Sequence, residues 1–346
     1  MESIQLVSKK DLFLEEEGYY NSETPGFVEL WDFSRGNLSQ EERVQAVSKV
    51  ASVCYGNEGL KPNFKLFDKL SRESIGLPSS SFEFVPVLLN QEKKEFIELC
   101  FSEIKNVIFN KMIQDVDGNI EEFQKKASIF FNKEKTDLIP NTIRYGYNID
   151  FNNSITNLRA LMYDLNFIEK FNQEHRVAFL TLEKDKLNIE SDFWYNNESE
   201  LDLIKKNFFV FRKKITIRDA RQDERHRRSM WQELSRRYTS GEKVSIEFRL
   251  TEKLNNEKVI EKIQDDIKLY QTLTADKVPT QEARDVLPVS IYTTIWNAWY
   301  PDGIDNYLNL RTKSSAQKEI RSLAVAMEDL LKQGGLYESN KSSERK

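Results

Sequence analysis

The stretch ERHRRSMWQELSRRY, Glu224 to Tyr238, concentrates positive charge in a chain that is acidic overall. Arg225, His226, Arg227, Arg228, Arg236 and Arg237, with Arg221 just ahead of them, surround a few neutral hydrogen-bonding side chains. Guanidinium groups match phosphate oxygens in charge and geometry, so such a cluster suits a small, compact anion. Ser235 and Arg237 would donate to one phosphate, with Arg225 and Gln222 beside it. Two other readings stay open at this point. The stretch can be a solvated helix face on which Glu233 and Arg237 form an i,i+4 pair, or an arginine patch for RNA with Trp231 and Tyr238 stacking on bases.

Overall charge weighs against the RNA patch. The 346 residues carry 51 Lys plus Arg against 56 Asp plus Glu, a formal net charge of -5, whereas dedicated nucleic-acid binders usually carry a basic excess. The length suits one large domain or two moderate ones, and 39% hydrophobic residues supply a core. No apolar run approaches the roughly 20 residues of a membrane span. The N-terminus also lacks the basic-then-apolar pattern of a signal peptide. Two cysteines, Cys54 and Cys100, and two histidines, His175 and His226, offer no disulfide framework and no histidine-built metal site. The expectation is a cytoplasmic protein with no metal, no membrane and no nucleic-acid partner.

The surrounding sequence must position the cluster. GFVELWDF from Gly26 alternates and reads as a strand; LSQEERVQAVSKVASVCYG then reads as a helix with Ser39 as its cap. GLPSSSFEFVPVLL is a turn into a β-rich segment, and Lys93 to Asp115 is a long amphipathic helix with Phe96, Ile97, Cys100, Ile104, Val107 and Ile108 on one face. After a start marked by Pro140 and an Asn-rich turn, a helix is expected from about Thr156. NFFVFRKKITI, Asn207 to Ile217, is the clearest strand, so the basic stretch follows at a strand-to-helix passage. Lys253 to Leu273 and the NYLNLRTKSSAQKEIRSLAVAMEDLLKQ segment read as helices, and residues 335–346 as a disordered tail. The fold class is α/β or α+β, a mixed sheet with long helices.

The order Arg221-Gln222, then Arg225-His226-Arg227, then Glu233-Leu234-Ser235 with Arg237-Tyr238 resembles the signature of the flavin-dependent thymidylate synthases. EARDVLPVSIYT and NYLNLRTKSSAQKEIR resemble two further elements of that family, and GFVELWDF with VASVCYGN resembles its opening strand and helix. The resemblance implies FAD held by Arg225, His226, Arg227, Glu233 and Asn306. It implies a nucleotide held by Gln222, Arg225, Glu233, Ser235, Arg236, Arg237 and Arg284, with Arg311 against the uracil ring. It also implies methylation of dUMP at C5 with methylene-tetrahydrofolate and NADPH as co-substrates. Neither cysteine follows a proline as a thiolate nucleophile for C6 would, so electrostatic ionisation of the base is the fitting route. Arg311, aimed at N3 and O2, is the candidate catalytic group. Alkylation of another pyrimidine nucleotide such as UMP, and a nucleotide-binding regulator without turnover, remain alternatives.

The chain also departs from the family pattern. Of a histidine-proline-glutamate-histidine element only Pro78 remains within Ile75 to Ser81. Tyr300-Pro301-Asp302-Gly303-Ile304 stands where the family has an Asn-x-Arg-Ser-Leu stretch, and Ser315 replaces a histidine. That lost stretch reappears earlier, as Asn157-Leu158-Arg159-Ala160-Leu161. Residues 1–185 therefore read as one degenerate copy of the family fold and 186–334 as a second, with Asn157 and Arg159 either lending their flavin contacts to the second copy or serving only as a helix cap and a surface salt bridge. A homodimer of two-copy chains, imitating a tetramer, is the assembly this implies.

Overall fold

The computed structural model describes residues 4–14, 17–34, 39–56, 61–71, 79–116, 119–134, 138–175, 197–237 and 245–336. The tail beyond residue 336, Tyr238 and most of the Ile75–Ser81 stretch lie outside them. The strands are β1 (Gln5–Asp11), β2 (Tyr19–Tyr20), β3 (Phe27–Asp32), β4 (Pro86–Asn90), β5 (Tyr147–Asn148), β6 (Asn153–Asn157), β7 (Phe209–Thr216), β8 (Ser229–Glu233), β9 (Arg249–Leu250) and β10 (Tyr292–Trp299). The α-helices are α1 (Gln40–Ser52), α2 (Phe64–Ser71), α3 (Gln91–Asp115), α4 (Ile120–Glu134), α5 (Asn141–Arg144) and α6 (Leu158–His175). They continue with α7 (Glu198–Asn207), α8 (Ile217–Asp223), α9 (Glu257–Ala275), α10 (Thr280–Ala283), α11 (Pro301–Arg311) and α12 (Lys318–Gln333).

Local chemistry explains where these helices begin. Ser39, Asn90, Asn197, Thr216 and Asn256 each accept a hydrogen bond from the backbone N–H three residues on. That satisfies a donor the first turn cannot. Asn157 does the same for Ala160 at the start of α6. Thr156 and Asn157 themselves close strand β6, so the helix expected from Thr156 starts two residues later.

Among the described residues one sheet runs β1-β3-β7-β10-β8 and a smaller one runs β4-β6-β5, every pairing antiparallel. This places the mixture of sheet and long helices on the α+β side. Strands β1 and β3, from the first part of the chain, share the larger sheet with β7, β8 and β10 from the last part. Alternation along β7 and β10 buries both of its faces. Phe209, Phe211, Ile215, Ile295 and Trp299 pack with Tyr307 of α11 and Leu323 and Met327 of α12. Val210, Trp296 and Ala298 pack instead with Val47 of α1, Phe82 and Phe84 of a 3-10 turn, and Val87 and Ile155 of the smaller sheet. The sheet is thus a wall between the helical layer of the last third and the elements of the first half. The basic stretch leaves from its β8 edge.

Candidate active site

The basic stretch is not a helix face. Helix α8 ends at Asp223, Glu224 to Arg228 form a loop, and Ser229 to Glu233 form edge strand β8. The i,i+4 pairing of Glu233 with Arg237 therefore does not arise: Glu233 accepts from Thr293 Oγ1 at 2.8 Å instead. A strand edge followed by a turn leaves successive guanidinium groups pointing different ways, which is what surrounding a ligand requires.

Contacts remote in sequence join the motifs to one another. Gln222 Nε2 donates to Gln317 Oε1 at 2.5 Å, and Gln317 donates to Glu319 at 3.0 Å. Arg311, at the end of α11, donates from Nε to His226 Nε2 at 2.9 Å. His226 is therefore neutral with its proton on Nδ1. Burial first, then the Arg311 charge, hold its pKa below the ordinary histidine value, with Asp223 opposing and Lys213 adding. The Tyr307 ring meets the imidazole edge-on at 4.8 Å. Arg311 makes no other hydrogen bond among the described residues, and it is half-buried.

On the far side of Glu233, Thr280 Oγ1 donates to the Arg237 carbonyl at 2.7 Å, and Ser235 Oγ accepts from the Arg237 N–H at 3.3 Å. This brings the short helix preceding Arg284 beside Arg237. Both guanidinium groups are exposed, as is Arg225. Arg236 differs: it is 7% exposed and donates to the Tyr292 carbonyl at 3.3 Å. Its other terminal nitrogen is enclosed without a partner. Burial raises the pKa of Glu233 and of its neighbour Glu224. Asn306 is exposed on α11, next to Tyr307. Cys54 touches strand β8, its thiol donating to the Glu233 carbonyl at 3.3 Å.

A cavity of about 660 Å³ opens beside the loop, lined by Arg227, Arg228, Ser229, Met230 and Tyr300 from the last third of the chain. Its opposite wall comes from the first half: Glu83, Asn141, Arg144, Tyr145, Gly146, Asn157, Arg159, Ala160 and Tyr163. Asn157 and Arg159 thus meet Arg227 across one space. They also carry the plain structural duties open to such residues: Asn157 caps α6, and Arg159 Nη1 pairs with Glu83 Oε1.

The residues that looked like losses have acquired new work here. Arg228 Nη2 pairs with Asp302 Oδ2. Gly303 lets the loop lie on α11, because a Cβ there would stand 2.5 Å from the Arg228 carbonyl oxygen. Tyr300 forms part of the cavity wall, stacked 6.2 Å from Tyr147 and edge-on to Phe208. Its hydroxyl is enclosed next to Asn157 and Thr156, yet neither makes a well-formed hydrogen bond to it. Arginines and tyrosine rings around one cavity fit a ligand with a flat aromatic system and phosphates. Arg144, Tyr145, Tyr163 and Glu83 escaped the sequence reading, since nothing local ties them to the motifs.

Residues 198–334 match the family model described as thymidylate synthase complementing protein. The flavin-dependent thymidylate synthase of Thermotoga neapolitana is 35% identical over 162 residues, 44% of this chain and 72% of that relative. The enzyme of the same name from Pseudothermotoga lettingae is 31% identical over 184 residues, 49% of this chain and 80% of the relative. The one from Thermosipho melanesiensis is 31% identical over 175 residues, 44% and 74% respectively. Fold and site define an α+β protein that gathers arginines at a sheet edge, between two helices and a cavity. The chain belongs to the flavin-dependent thymidylate synthase family. No described helix is long and apolar enough to cross a membrane.

Proposed function

We propose that the chain is a cytoplasmic enzyme that methylates dUMP at C5 to give dTMP, with FAD as cofactor and methylene-tetrahydrofolate and NADPH as co-substrates. The observation that carries this reading is the meeting of Asn157 and Arg159 with Arg227 around one cavity beside the His226–Arg311 contact. Asn157, Arg159, Arg225, His226, Arg227, Glu233 and Asn306 would hold the flavin. When bound and reduced, it supplies the hydride that completes the methyl group. Gln222, Arg225, Glu233, Ser235, Arg236, Arg237 and Arg284 would hold the nucleotide phosphate and sugar. The terminal nitrogens of Arg311 would sit against N3 and O2 of the uracil, where fixed positive charge favours the deprotonated, carbon-nucleophilic ring. His226 keeps that guanidinium in one orientation.

On this reading residues 1–185 are a degenerate family copy and 186–334 a second. Each has shed what the other supplies, and two chains associate as a homodimer. Since both walls of the cavity come from one chain, flavin should bind once per chain. The test is tritium release from C5-labelled dUMP with methylene-tetrahydrofolate, NADPH and FAD, beside the visible absorbance of the purified protein. Yellow protein with sustained release supports the proposal. Flavin uptake and dUMP binding without release would point to a regulator; release from UMP but not dUMP would change the substrate. A colourless protein that takes up no FAD would sink the reading.

A further inference from the structure

Behind the His226–Arg311 contact lies an ion pair sealed from water. Lys213 Nζ donates to Asp223 Oδ2 at 2.6 Å, and both side chains are 0% exposed. Lys213 occupies the inward row of β7 between Phe211 and Ile215, a position where apolar side chains otherwise prevail. Its ammonium faces the rings of Trp231, Trp299 and Tyr307 at 5.4, 5.9 and 5.6 Å. With its amide oxygen turned toward the donors, Asn297 accepts from Lys213 at 3.0 Å. Replacing a buried ion pair by apolar residues of similar volume is often neutral or stabilising, so stability alone is a weak reason for keeping this one.

The pair's position suggests another reason. Asp223 is the last residue of α8, and its carbonyl accepts the N–H of His226 at 3.3 Å. Its second carboxylate oxygen and the Tyr307 hydroxyl are enclosed side by side without a well-formed partner. Tyr307 presents its ring edge to His226, and Arg311, one turn further along α11, donates to His226 Nε2. The His226 carbonyl in turn accepts from Ser229 Oγ at 2.6 Å. The charged and titratable groups facing His226 are thus Arg311 and Tyr307 on α11, Asp223 on α8 and Lys213 on β7; Trp299 on β10 adds a ring.

We propose that Lys213 and Asp223 are positioning residues whose sealed ion pair anchors the start of the Glu224–Arg228 loop and the Tyr307 ring, so that His226 is held as the acceptor for Arg311. Neither touches the ligand. They act by removing the alternatives open to His226: a flipped ring, or a proton on Nε2 that would repel the Arg311 donor. The catalytic part of the claim rests on Arg311 acting on uracil as proposed above; the structural part does not.

The experiment compares the wild type with Lys213→Met/Asp223→Leu, which keeps the branching pattern of each side chain and removes both charges. His226 is followed by ring ¹⁵N shifts, assigned against His175→Gln because the chain has only two histidines. The wild type should show a single tautomer with the proton on Nδ1. The double variant should unfold at the same or a higher urea concentration, yet show mixed tautomers. Its kcat should fall at least tenfold while the dUMP KM changes less than threefold. A single unchanged tautomer in the folded double variant would overturn the proposal. If the double variant does not fold, Asp223→Asn decides by the same spectrum. Should the wild type prove inactive on dUMP, the functional reading fails by itself, and the tautomer result still settles the positioning claim.

Discussion

Gly303→Ala tests whether the loop bearing Arg227 is seated by close contact with α11. The new Cβ would lie 2.5 Å from the Arg228 carbonyl oxygen and 3.4 Å from both the Arg228 Cβ and a Trp299 ring carbon. Real Cβ contacts essentially never fall under 3.0 Å, so loop or helix must shift by 0.5 Å or more, the difference between 3.0 and 2.5. Retreat is blocked on the helix side by Trp299, which is fully buried. The loop therefore moves. Overpacking of this kind costs about 1 to 3 kcal/mol, against about 1 kcal/mol gained by replacing glycine within a helix. The expected balance is a loss of about 1 kcal/mol in urea unfolding. The larger effect is on ligand: displacing Arg227 and Arg228 from the cavity wall should weaken FAD binding roughly tenfold, since misplacement by 1 Å can cost about a hundredfold. Fluorescence titration of FAD reads this directly. A variant that is more stable than the wild type and binds FAD equally well would show the glycine to be a helix defect and nothing more.

Three further outcomes are expected. Arg311→Ala should abolish turnover with modest loss of dUMP affinity, because its interaction strengthens as uracil ionises; unchanged kcat removes it from the mechanism. Arg237→Ala should weaken dUMP binding by about 2 to 3 kcal/mol through loss of a charged hydrogen bond, and an unaltered titration would place the phosphate elsewhere. His226 has a folded pKa below its unfolded value of about 6.5. Its contribution to stability is therefore complete above about pH 6.5 and is lost as pH falls through the lower folded value. An acid limb should appear there in unfolding and kcat profiles, and His226→Gln, which can still accept from Arg311, should remove it.

The motifs were legible because each is a short run of chemistry-bearing residues at fixed spacing, and the strands because their apolar alternation is regular. The state of the basic stretch was not: propensity and an i,i+4 charge pair suggest a helix face. Antiparallel pairing of Ser229–Glu233 with Ile295–Trp299, about 66 residues away along the chain, outweighs both. The cavity was half legible. Asn157 and Arg159 stood out as a displaced motif, but Tyr300, Asp302 and Gly303 read only as losses. Their use as wall, ion-pair partner and close-packing site depends on where the loop lies. Lys213 left one usable signal, a charge on the inward parity of an apolar strand, ten residues before an acid at a helix end.

The central claim is that two distant parts of one chain share a flavin. A double-mutant cycle on FAD affinity, using Arg159→Gln, Arg227→Gln and the pair together, measures it most directly, with dUMP binding as the control for fold. The account predicts that each single change weakens FAD binding. It further predicts that the double variant departs from additivity by about 0.5 kcal/mol or more, with dUMP affinity nearly intact. FAD affinity that ignores Arg159→Gln, while responding to Arg227→Gln, would contradict the shared site and leave the first half as scaffold.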